Sequence, residues 1–252
     1  MKPYFDLTGK KAIVTGGGKG LGLAISEALI KAGAAVCITG RNETTLKEAA
    51  ATLGSKCFYV VSDLSKLDEL PALAEKIEKD FGAIDILVNN AGINLKKDFT
   101  ELTDEDYDNI IKTNQFAVFA FTREIAKKMV PRKKGSIVMI SSMASQYGIP
   151  KVVAYSASKS AVEGMTRAIA VELSPIGIRV NCIAPGFIAT DMSAKALNND
   201  PERKQKVLSR TPMAKLGQPS DIGNAVVYLS SDEAGYVTGV VLPVDGGNSI
   251  GF

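Results

Sequence analysis

The sequence contains no histidine. That absence excludes a Ser-His-Asp hydrolase, a Cys-His protease and a histidine-ligated zinc site. Acid–base chemistry near neutral pH then requires another side chain with a shifted pKa. Cysteine is scarce, and Cys37, Cys57 and Cys182 lie far apart in apolar runs. They are expected as buried free thiols in a reducing compartment, not as a disulfide or a metal set. No apolar run approaches the roughly 18 residues of a membrane-spanning helix. Met1 to Asp6 lack the apolar core of a signal peptide. The net charge of +3 is too small to argue for nucleic acid or an anionic membrane. These absences predict a cytoplasmic protein with no metal, nucleic acid or membrane involved.

What is present is an ordinary globular composition, 46% apolar and 23% charged over 252 residues, which fits one large domain. Lys11–Thr15, Ala35–Thr39, Cys57–Val61, Ile84–Val88, Gly135–Ile140, Ile178–Ile183 and Val240–Val244 read as strands. Leu23–Ala32, Glu43–Leu53, Leu67–Phe81, a long region from about Asp104 to Met129, Ala154–Leu173 and Asp221–Leu229 read as helices. Apolar strands alternating with helices imply an α/β fold, a parallel sheet covered on both faces. Residues 191–210 are polar and long for a plain connection, so a substrate cap or a disordered tip is expected there.

Two stretches carry chemistry. Tyr155 and Lys159 are four apart on a helix and share one face. A free phenol has a pKa of about 10. A cation about 4 Å away contributes about 4 kcal/mol at an effective dielectric near 20, enough to lower the phenol by roughly three units. The alternative is an exposed helix with an incidental Tyr and Lys. The second stretch is Thr15-Gly16-x-x-x-Gly20-x-Gly22, between a first strand and a first helix. Glycines allow close backbone approach there, and a helix N-terminus offers N–H groups to a pyrophosphate. About 20 residues on, an acid would read a ribose 2′-hydroxyl. This chain has Thr39-Gly40-Arg41 instead. Arg41, helped by Lys19, suits a 2′-phosphate; otherwise both are solvated cations. Asp63 is either an acceptor for an adenine amine or a helix N-cap.

These pieces, with Asn89-Asn90-Ala91-Gly92, Ser142 thirteen residues before Tyr155, and Pro185-Gly186, resemble the short-chain dehydrogenase/reductase family over nearly the whole chain. The resemblance implies a Rossmann-type, doubly wound, seven-stranded parallel sheet, a nicotinamide cofactor and a homotetramer. It implies that Tyr155 exchanges the proton and that Lys159 lowers the tyrosine pKa and holds the nicotinamide ribose. Ser142 would orient the substrate oxygen, and Asn114 would hold a water beside the lysine. On residues alone, Ser142 also fits a turn serine and Asn114 a polar residue on a partly exposed helix. Cofactor contacts are implied for Gly16, Gly18, Lys19, Gly20, Leu21, Gly22, Arg41, Asp63, Leu64, Asn90, Ala91, Gly92, Pro185, Gly186, Ile188 and Thr190, besides Tyr155 and Lys159. NADP is expected over NAD. Val244 to Gly247 resembles a structural strand end.

Within the family the chain resembles two groups. One comprises gluconate 5-dehydrogenase and related reductases of sugar acids and keto-uronates, toward which Ala91 to Asn94, residues 191–210 and Val237 to Phe252 lean. The other is 3-oxoacyl-carrier-protein reductase, whose acidic carrier would need a landing site. Lys127, Lys128, Arg132, Lys133 and Lys134 are candidates for it, or simply a solvated helix end. Ser174 to Gly177 lacks the basic residue that carrier reductases often have in that turn. A dinucleotide-binding regulator without chemistry is a third reading, opposed by the complete set of Asn114, Ser142, Tyr155 and Lys159.

Overall fold

The apolar runs pair as strands in a computed structural model that describes residues 3–190 and 201–251. The strands are β1 (Lys11–Thr15), β2 (Ala35–Gly40), β3 (Cys57–Val61), β4 (Ile86–Asn89), β5 (Gly135–Ile140), β6 (Ile178–Pro185) and β7 (Val241–Val244). They form one parallel sheet in the order β3-β2-β1-β4-β5-β6-β7. The order reverses between β1 and β4, and ligands of open α/β sheets bind at such a switch point, beyond the strand ends. Register keeps those ends level: Thr15 pairs with Thr39, Val14 with Val88, and Ile140 with Ile183.

Helices cover both faces because strand residues alternate in direction. Ala12, Val14 and Val88 pack with α1 (Gly20–Lys31), α2 (Glu43–Leu53) and, labelled here as α8, Pro219–Ser230. Ile13, Leu87 and Met139 pack with α3 (Leu70–Phe81), α5 (Ala117–Met129) and α6 (Val153–Leu173). The other α-helices among the described residues are α4 (Asp104–Ile111) and α7 (Pro201–Arg210).

The structure departs from the sequence reading in several places. Helix α1 starts at Gly20, earlier than Leu23, because glycines carry no hydrophobic signal. The region 104–129 is not one helix: a π-helical turn, Lys112–Phe116, joins α4 to α5. Strand β4 runs from Ile86 to Asn89; Asp85 instead bridges backbones, its N–H donating to Lys11 and its carbonyl accepting from Ser136. Cys57 is only half-buried because β3 is the sheet edge. All three thiols are free, and burial pushes Cys37 and Cys182 up to about 12 and Cys57 to about 11. None of them is a ready thiolate nucleophile. In the 191–210 stretch, 201–210 is helical, while 191–200 lie outside the described residues. Among the described residues, no helix is long and apolar enough to cross a membrane.

Candidate active site

Helix α6 carries Tyr155 and Lys159 to the strand ends. The Lys159 side chain is buried, and its Nζ donates to the carbonyl of Ile140, the last residue of β5, at 2.8 Å. Burial lowers its pKa to about 8. Ser142 follows β5 and opens a short turn, Met143–Ser145, where its Oγ accepts the Ala144 N–H at 3.2 Å. The same residue lies close enough to Tyr155 to pull the phenol pKa down. Ser142 is therefore both a turn serine and a partner of the phenol.

The expected lowering of the Tyr155 pKa by Lys159 is absent. Burial pushes the phenol up, and Ser142 pulls it down by less. The ammonium is committed to the Ile140 carbonyl and lies 5.7 Å from the Tyr155 ring centroid. Desolvation of the phenol outweighs its field.

Asn114 sits in the π-turn and is fully buried, not partly exposed. Its Nδ2 donates to the Ile93 carbonyl at 2.8 Å and to Ser158 Oγ at 3.2 Å, and its Oδ1 accepts the Ile93 N–H at 2.8 Å. It thus staples the loop after β4 to α6. A Cβ placed on Gly92 would lie 3.2 Å from Asn114 Oδ1 and 3.5 Å from Lys159 Nζ. Gly92, Asn114 and Lys159 are therefore one cluster. π-turns recur at functional sites.

Across the switch point, Thr15 and Asn90 brace the glycine turn. Thr15 Oγ1 accepts the N–H groups of Asn90 and Ala91, both at 3.0 Å. Asn90 Nδ2 donates back to the Thr15 carbonyl at 2.9 Å. Gly16 takes φ +65°, and a Cβ on Gly22 would run into the Gly16 carbonyl and the Asn90 amide, so neither position accepts a side chain. Helix α1 opens with no side-chain cap and no acid in its first turn. By contrast, Asn42 caps α2 and Thr103 caps α4, each with acids following. The positive end of α1 is left for an anion.

At the ends of β2 and β3, Thr39 Oγ1 and Ser62 Oγ are buried without partners. Arg41, two residues past Thr39, and Lys19, in the glycine turn, are both exposed. Asp63 is not a helix cap: its Oδ1 accepts the Ser65 hydroxyl at 2.8 Å and the Ser65 N–H at 3.0 Å. The Ser65 hydroxyl, and to a smaller extent Arg41, holds it below the usual carboxylate range. Leu21 and Leu64 are half-buried against the two cores. At the end of β6, Pro185 is buried, and the Gly186 N–H just beyond it donates to the Val244 carbonyl at 3.0 Å. Ile188 is buried and pairs with Gly217, and Thr190 ends the described stretch. Asp245 accepts the N–H groups of Gly247 and Ser249 at 2.9 and 2.7 Å and so closes the turn after β7.

Two clusters escaped the sequence reading. Glu163 accepts hydrogen bonds from Ser141 and Ser145 beside Ser142. Arg210, at the end of α7, stacks 4.4 Å from the Tyr147 ring centroid, and both side chains bond Asn248. Their contacts span the chain, so local spacing carries no signal of them.

A short-chain dehydrogenase family model, described as enoyl-(acyl carrier protein) reductase, matches residues 16–249. The chain is a short-chain dehydrogenase/reductase. It is 39% identical to the 3-oxoacyl-(acyl-carrier-protein) reductase of Haemophilus influenzae over 241 residues, covering 96% of this chain and 98% of the relative. It is 37% identical to the gluconate 5-dehydrogenase of Gluconobacter oxydans over 249 residues, covering 98% and 97%. A gluconate 5-dehydrogenase from Burkholderia cenocepacia, solved in complex with NADP and tartrate, superposes with a TM-score of 0.94 at 32% identity, covering 98% of each chain. Short-chain dehydrogenase/reductases are oxidoreductases that bind a nicotinamide dinucleotide. The residues here fit one: an uncapped helix start for the pyrophosphate, glycines that leave room, and unpartnered hydroxyls at the β2 and β3 ends.

Proposed function

We propose that this short-chain dehydrogenase/reductase moves a hydride between NADP(H) and a secondary alcohol or ketone, the substrate being a sugar acid or keto-uronate. The observation that carries the reaction is the convergence of the Tyr155–Ser142 pair, buried Lys159 and Asn114 at the strand ends. The bound cofactor supplies the hydride. The Ser142 hydroxyl orients the substrate oxygen, and Tyr155 exchanges its proton. A phenol pushed up by burial keeps its proton at neutral pH, the state needed to protonate an alkoxide during ketone reduction. Lys159 holds the nicotinamide ribose, and Asn114 holds a water beside it. Gly16 to Gly22, Asn90 to Gly92, Pro185, Gly186, Ile188 and Thr190 line the cofactor.

NADP is preferred because Gly40 puts no carboxylate where a 2′-phosphate would sit, while Arg41 and Lys19 offer charge. Asp63 receives the adenine amine. The NADP in the Burkholderia relative supports this choice. For the substrate, the supporting observation is that the suspected carrier landing site is largely neutralised. Lys127 pairs with Glu124, Lys128 with Glu75 and Glu78, and Arg132 with Asp85. The second reading, 3-oxoacyl-carrier-protein reduction, is favoured by the Haemophilus relative. Helix α7, the described part of the 191–210 segment, acts as a substrate cap, since it is anchored through Arg210 to Tyr147, five residues past Ser142. Exposed Phe116, Phe119, Val153 and Val171 support homotetramer contacts through α4, α5 and α6, with Val240 to Phe252 as a second contact. A monomer by light scattering at micromolar concentration contradicts that assembly.

Keto-sugar acids, keto-uronates and 3-oxoacyl thioesters, each followed with NADPH and with NADH, test the proposal. Sugar-derived ketones with NADPH should be fastest, and turnover of thioesters alone reverses the substrate assignment. Charge-assisted bonds contribute roughly 1.5–3 kcal/mol each. Even after screening, Arg41→Ala should raise KM for NADPH about tenfold and leave NADH nearly unchanged. Equal losses for both cofactors contradict the role of Arg41.

A further inference from the structure

We propose that Glu163 is a positioning residue that locks the Ser142 turn onto α6 and so keeps the Ser142 hydroxyl on Tyr155. Glu163 lies one turn beyond Lys159 and is 8% exposed. Its Oε1 accepts from Ser141 Oγ at 2.8 Å and from Ser145 Oγ. Ser145 Oγ also lies 2.5 Å from the Ser142 carbonyl and Ser141 Oγ 3.3 Å from the Lys159 carbonyl, so each hydroxyl shares its single proton between the Glu163 carboxyl and a backbone acceptor. Residues on both sides of Ser142 are thus tied to the helix that carries Tyr155 and Lys159. Among the described residues the hydrogen bond of Ser142 Oγ is the local one to the Ala144 N–H, so its neighbours set its direction toward the phenol. Among the described residues, Glu163 has no cation within ion-pair distance. A buried carboxylate held by hydroxyls alone is poor core material. Its side-chain hydrogen bonds among the described residues go to Ser141 and Ser145, one on each side of Ser142. A rotation of that turn would move the Ser142 hydroxyl off the phenol and off the substrate oxygen.

The inference rests on reading Ser142 as the substrate-orienting hydroxyl, and a double-mutant cycle separates the two. Glu163→Leu should lower kcat about tenfold with KM for NADPH unchanged, while Glu163→Gln, which keeps an acceptor oxygen, should stay within about threefold of the parent. In a Ser142→Ala background, Glu163→Leu should change kcat by less than about twofold, because no hydroxyl is left to place. Should the leucine variant not fold, Ser145→Ala decides: about a threefold loss in the parent and none in Ser142→Ala. Equal losses in both backgrounds, or a glutamine variant as slow as leucine, overturn the positioning role. A near-normal Ser142→Ala overturns the reading of Ser142, and the positioning role with it.

Discussion

Tyr155→Phe is expected to lower kcat at least about a hundredfold, since a positioned acid or base contributes about 10² to 10⁴. The substitution removes one oxygen and keeps the ring. The Lys159 ammonium stays with Ile140, and the glycine turn and its Thr15–Asn90 brace are untouched. Cofactor affinity should therefore persist, as tryptophan-free fluorescence quenching of the nicotinamide or calorimetry would read. Burial has raised this phenol, so reduction should hold its rate through neutral pH. Near-normal turnover in the variant would end the assignment of Tyr155. Loss of turnover with intact binding would also dispose of the non-catalytic regulator.

Lys159→Met should slow chemistry and weaken cofactor binding together, because one ammonium meets the ribose and lies beside the proton donor. Its effect on stability runs the other way. Burial brings the Lys159 pKa from 10.5 to about 8, so the folded chain holds that proton less tightly than the unfolded chain. The resulting penalty is absent above about pH 10.5, grows as pH falls toward about 8, and is constant below that. At neutral pH it is on the order of 3 kcal/mol. Methionine removes it but leaves the Ile140 carbonyl unmet, at a cost of about 1–3 kcal/mol. The cofactor-free variant should therefore gain Tm relative to the parent as pH falls from about 10.5 to about 8. A Tm difference that does not change across that range, or cofactor affinity equal to the parent's, contradicts this account of Lys159.

Much of this architecture was legible in the sequence, for physical reasons. Strands buried on both faces read as unbroken apolar runs, so β1, β2 and β5 are plain. Gly16 and Gly22 are plain because no other residue fits that backbone. Other features depend on geometry that spacing does not encode. The i,i+4 spacing of Tyr155 and Lys159 places them on one face but does not reveal that the ammonium turns to Ile140. Periodicity from Asp104 to Met129 runs through the π-turn that buries Asn114. Glu163 reads as the polar face of an amphipathic helix until Ser141 and Ser145 arrive from another element. The cations around Lys128 look free until Glu75, Glu78 and Asp85 are brought beside them.

Hydride transfer itself is the central claim, and NADPH carrying deuterium at the transferred position of nicotinamide C4 tests it most directly. Incubated with the ketone turned over fastest, it should yield an alcohol with one deuterium on the carbinol carbon and none in solvent. NADPH left unconsumed by every ketone offered, or consumed without label reaching that carbon, would contradict it.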